Sequence, residues 1–134
     1  MDKITVSAVH SLKLIPISLL SRFARIKSKT LIVVLGDGVD LDPVPGSVKV
    51  STTSENGKVS KKITFKVADV SAATADKLQG LKVSRFVAVY RDERHNERVS
   101  GSPDYPLSLD YTPGDGVFSV TLTGEDTGPD GFTA

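Results

Sequence analysis

Three aspartates, Asp37, Asp40 and Asp42, fall within six residues, and a cluster of that kind invites a divalent cation. Calcium takes its oxygens from closely spaced carboxylates and carbonyls, and an EF-hand loop sets them as D-x-[DN]-x-[DN]-G with a later bidentate Glu. This stretch has neither that spacing nor that Glu. It reads as turn chemistry, in which short carboxylates accept from nearby backbone N–H groups. Gly36-Asp37-Gly38 leads into no helical pattern, so a phosphate cradle lacks the helix N-terminus it would use. The two imidazoles, His10 and His95, are far apart in sequence. General acid–base work needs a partner within hydrogen-bond reach, and no motif sets a nucleophile or carboxylate for either. His95 belongs to the charged run D-E-R-H-N-E from Asp92 to Glu97 and reads as a solvated loop residue. The chain has no cysteine, which excludes a disulfide framework, a thiolate nucleophile and a Cys-based zinc site. These residues together lead us to expect no enzyme, no cofactor and no structural metal.

The remaining chemistry is charge. The net value is +1, but the ends are polarised. Residues 1–34 carry Lys3, Lys13, Arg22, Arg25, Lys27 and Lys29 against Asp2, a net of +5. Residues 101–134 carry Asp104, Asp110, Asp115, Glu125, Asp126 and Asp130 with no Lys or Arg, a net of −6. Either the two ends complement each other within one chain, or unlike ends of neighbouring copies meet. The candidate interface is therefore Arg22, Arg25, Lys27 and Lys29 on one side and Asp126 and Asp130 on the other, with Phe132 as an apolar contact. The basic residues fall in S-L-L-S-R-F-A-R-I-K-S-K, where Leu19, Leu20, Phe23 and Ile26 suit one face of a short helix from a Ser18 cap to Ile26, beyond the break at Pro16. The plainest reading is an element packed on the core with solvated charges. A nucleic-acid or membrane surface would want stacking aromatics or a larger charge excess, so direct nucleic-acid binding is not expected.

The elements that must position these residues are mostly strands. At 134 residues the chain fits one domain with its own core, with a possible extended arm over residues 1–12 and a flexible acidic tail over 124–134. Ile4 to Val9 alternates as a strand or arm would. No apolar leader is present at M-D-K-I-T-V-S, and the longest later apolar run, Leu31 to Leu35, is too short to span a bilayer, so we expect no membrane partner and a cytoplasmic site of production. Thr30 to Leu35 reads as a strand buried on both faces near the sheet centre. In Val48 to Val67, Asn56-Gly57 supplies the turn of a hairpin, placing Glu55 opposite Lys58, Val50 opposite Ile63 and Val48 opposite Phe65. Asp69 or Ser71 caps a short helix that Gly80 stops. In R-F-V-A-V-Y-R, Phe86, Ala88 and Tyr90 take one face and Val87 and Val89 the other. Pro103 and Pro106 bracket a bend, and a last hairpin sets Tyr111 against Phe118, Leu109 against Val120 and Leu107 against Leu122. The fold class is mainly β: a single-domain antiparallel β-sandwich or barrel with one or two short helices.

The order of a basic arm, a hairpin with an N-G tip, a helix ending K-L-Q-G-L, the strand R-F-V-A-V-Y-R-D, then V-S-G-S-P-D-Y-P-L and a final hairpin resembles small virion structural proteins of tailed phages and prophages of Bacteroides-type bacteria, ring-forming neck and tail proteins of crAss-like phages included. Its most specific piece is Gly101-Ser102-Pro103 through Pro106-Leu107. The resemblance implies a non-enzymatic head-to-tail connector, neck or tail subunit of the virion, assembled in the bacterial host cytoplasm. Its partners would be copies of itself in a ring and other phage structural proteins such as portal, neck or tail subunits. The alternative is a β-sandwich adhesion or ligand-binding module.

Overall fold

The computed structural model describes residues 2–6, 11–26, 29–36, 38–92, 94, 96–114, 116–126 and 131–133. Its elements are β1 (Asp2–Val6), β2 (Ser11–Pro16), a 3₁₀ turn (Ile17–Leu19), β3 (Leu20–Ile26), β4 (Lys29–Val34), β5 (Lys49–Glu55), β6 (Lys58–Val67), α1 (Ala72–Leu81), β7 (Arg85–Arg91), β8 (Glu97–Ser100), β9 (Leu107–Pro113), β10 (Phe118–Asp126) and β11 (Gly131–Thr133). The strands form one sheet in the order β1-β5-β6-β10-β9-β7-β8-β11-β4-β3, and β2 pairs β7 off this path. Pairing is antiparallel except where β11 lies parallel to β4. The sheet curls into a half-barrel with one α-helix, within the mainly β sandwich-or-barrel class with one or two short helices that was expected.

The central hairpin follows the sequence closely. Asn56 and Gly57 hold positive φ of 52° and 79°, the pair of values a type I′ turn requires. Glu55 then faces Lys58 and Val50 faces Ile63. Along β6, Val59, Lys61, Ile63, Phe65 and Val67 alternate inward while Lys58, Ser60, Lys62 and Lys66 face water. Phe65 and Ile63 join Val50, Val120, Leu122, Leu107 and Leu109 in one buried cluster, each large side chain worth roughly 1.5 to 3 kcal/mol of transfer free energy.

The β9–β10 hairpin differs from expectation by two residues. Gly114 N–H donates to the Val117 carbonyl at 2.8 Å, which closes the connection between the two strands tightly. Val120 consequently faces Tyr111 and Leu122 faces Leu109. A two-residue shift keeps every side chain on its face. Phe118 still meets Tyr111, edge to face, with ring centroids 5.7 Å apart.

β7 is covered on both faces as expected, with Phe86, Val87 and Ala88 fully buried. It holds β2 along one edge and β9, then β8, along the other. Ser71 caps α1 by accepting from the Thr74 N–H at 3.4 Å. The helix runs on through Gly80, the expected stop, to Leu81, because Leu78 anchors that last turn in the core. Ser102 and Tyr105 exchange backbone hydrogen bonds of 3.1 Å in the Pro103–Pro106 bend. Among the described residues no helix is long and apolar enough to cross a membrane.

Both ends of the chain enter the sheet. β1 pairs β5 from Asp2↔Ser54 to Val6↔Val50, so residues 2–6 of the expected arm are an edge strand. The expected tail begins inside β10, which reaches Asp126, and continues in β11, a short strand between β8 and β4.

Candidate assembly interface

The segment from Leu20 to Ile26, expected as a helix, is a strand. Its apolar residues fall at helical spacing, but the β-branched run that follows offers a full ladder, and tertiary pairing overrides local preference. The register is Arg22↔Val33, Phe23↔Ile32, Ala24↔Leu31, Arg25↔Thr30 and Ile26↔Lys29. Residues directly opposite share a face. Arg22, Ala24, Ile26, Lys29, Leu31 and Val33 therefore form an outer face, and Phe23, Arg25, Thr30 and Ile32 an inner one.

The outer face is apolar and open. Ile26 is 66% exposed, Leu35 65%, Val33 43% and Leu31 37%. The expectation of a central strand buried on both faces is thus corrected: β4 lies one strand from the edge, and only its inner side has a sheet to pack on. β3 itself is an edge strand blunted by a bulge between Leu20 and Arg22 and by the exposed Arg22, devices that oppose strand addition. Its face, not its edge, is what the hairpin offers.

The inner face is held by ions. Arg25 donates Nη1 to Asp126 Oδ1 at 2.9 Å and Nη2 to Oδ2 at 2.5 Å, and Nη2 also to the Gly101 carbonyl at 3.1 Å. Lys61 Nζ lies 3.5 Å from the same carboxylate, whose side chain is fully buried beside an almost fully buried lysine. The guanidinium also stands 5.5 Å from the Phe23 ring centroid. Buried charges persist only when paired and hydrogen-bonded. The Asp126 carboxylate therefore ties β3 to β6 and β10, and Arg25 ties β3 to the loop before β9.

Of the two options for the polarised ends, Arg25 and Asp126 take the first, complementarity within the chain. Asp126, expected to reach a neighbour, is consumed in its own core and is 3% exposed. Arg22 and Lys29 stay exposed at opposite corners of the outer face. Phe132 is placed by its backbone, paired with Lys29 and Arg98. Lys27, Asp130, His10, His95 and Asp37 lie outside the described residues. Sequence reasoning missed Lys61 and the exposed apolar residues. For Lys61 a signal existed, since it shares the inward parity of Val59 and Ile63.

Two further surfaces complete the picture. Asp40, Asp42 and Asp69 rim a recess of about 480 Å³ with Leu41 and Val67 among its lining. Asp42 N–H donates to Asp40 at 2.8 Å. The Ser71 backbone N–H, and then its hydroxyl, hold the Asp69 carboxyl below the ordinary aspartate value. On the water-facing side of the main sheet, Ser51, Lys62, Thr123, Ser108 and Arg85 occupy successive paired positions across five strands beside a cleft of about 640 Å³. No family model, curated protein or solved structure matches the chain.

Proposed function

We propose that this chain is an assembly subunit, a virion structural protein of a tailed phage that builds a neck, tail or connector ring by packing against copies of itself and against portal, neck or tail proteins. The observation that carries the reading is the open apolar face of the β3–β4 hairpin. Contiguous exposed aliphatic side chains on an ordered sheet are costly in water and mark contact surfaces, and here a half-buried Arg25 paired with the buried Asp126 and Lys61 holds that face in place. The phage assignment rests on the resemblance of Gly101–Leu107 and its surroundings, and the ring on the heterologous contacts that cyclic assemblies use. Native mass spectrometry of the full chain tests it. A single closed oligomer, lost in a Leu31→Ser/Val33→Ser variant that remains folded, supports the reading; a monomer at the highest soluble concentration sinks self-assembly.

A second reading has one observation of its own. The row of hydroxyls between Lys62 and Arg85 would suit an anionic ligand lying across the sheet, as in a binding module. Heparin or polyphosphate retained at low salt and released by Lys62→Ala/Arg85→Ala would favour it.

A further inference from the structure

The outer face of the β3–β4 hairpin carries two cations, Arg22 and Lys29, and no acidic residue. Packed on a two-fold copy of itself, it would bring like charges to the rim of an apolar contact, which disfavours the isologous arrangement. A mate of opposite sign with an apolar floor removes that conflict. A surface of that sign exists on the same molecule: the recess lined by Asp40, Asp42 and Asp69, with the nearly buried Leu41 and Val67 at its floor and, next to Asp69 in sequence, Val70, 52% exposed. Lys77 is the only cation among its described lining residues, which are net negative. The hydrogen bonds from Asp42 and Ser71 N–H each occupy one acceptor site of a carboxylate, leaving others for a guanidinium or ammonium.

The geometry points to a head-to-tail contact in which the β3–β4 hairpin of one copy docks in the acid-rimmed recess of the next. This inference rests on the self-assembly reading above and names the partner surface. Ile26 and Leu35, the most exposed aliphatic residues of the hairpin, supply the inserted apolar contact. Arg22 and Lys29 pair with the aspartates and set the register. Each copy then spends one hairpin and one recess, and the contact repeats in one direction, as a ring requires.

The test uses two full-length variants whose folding is checked by thermal melting. Arg22→Glu/Lys29→Glu reverses the hairpin corners. Asp42→Asn/Asp69→Asn neutralises the recess; an amide oxygen at 69 can still accept from the Ser71 N–H, and asparagine tolerates the positive φ of Asp42, 52°. Each variant alone should self-associate about tenfold more weakly than the parent, the loss expected from a few exposed pairs. Mixed, the intact hairpin of one meets the intact recess of the other, and sedimentation should show a 1:1 dimer that grows no further. Undiminished assembly of the recess variant beside failure of the hairpin variant overturns this inference and leaves self-assembly standing. A mixture that stays monomeric also overturns it. A parent chain that never associates overturns both.

Discussion

Two hairpins of similar length share this sheet and treat their apolar residues in opposite ways. In β5–β6 the strand alternates strictly, with inward residues from Val59 to Val67 buried and outward ones in water. In β3–β4 both faces carry aliphatic side chains, the inner ones half-buried or buried and the outer ones open. The first hairpin obtains its stability from the core beneath it. The second is fastened by one ion group and keeps apolar surface unspent, which is the pattern expected where a strand pair serves a partner as well as its own domain.

The largest expected effect lies in the first hairpin. Phe65 is 2% exposed, so Phe65→Ala should cost about 3 to 5 kcal/mol, read as a drop in the urea midpoint; a parent-like melt would mean that β6 is not packed as described. Next comes the fastening of the second hairpin. Asp126→Ala removes the carboxylate that Lys61 and Arg25 share and should cost about 3 kcal/mol, with amide exchange rising in β3 and β4 ahead of β6. If protection in β3 is unchanged, the ion group is not what holds the hairpin. At the tip of β5–β6, Gly57→Ala forces a side chain into positive φ and should lose about 1 kcal/mol. Smallest of all, Leu31→Ser/Val33→Ser should alter stability by no more than about 0.5 kcal/mol per site while it weakens association. A large loss of stability there would make the outer face part of the core and erase the contrast.

The same contrast explains what could be read in advance. Asn56-Gly57 and the alternation around it agree on one register, and the structure keeps it. Asp115-Gly116 carries an equally strong signal, but Pro113 and Gly114 broaden the apparent turn, and the register moves by two. β3 was illegible because period two is visible only where one face is wet and the other dry. With Leu20, Phe23 and Ile26 spread over both faces, the spacing imitates a helix. Charge asymmetry pointed to Arg25 and Asp126, yet composition cannot tell an ion pair within a chain from one between chains. That distinction comes from curvature, which turns the inner face of β3 toward the end of β10.

The pairing of Arg25 with Asp126 spans 101 residues, and β11 reaches β4 from a similar distance. During synthesis, then, the β3–β4 hairpin leaves the ribosome long before the strands that fasten it exist, and contacts of such separation close late. The β3–β4 hairpin gains its ionic fastening only after the carboxylate at 126 has arrived. A copy truncated before Asp126 therefore lacks the carboxylate that Arg25 and Lys61 share. In the assembly proposed above, order of synthesis would then act as a timing device against incomplete copies.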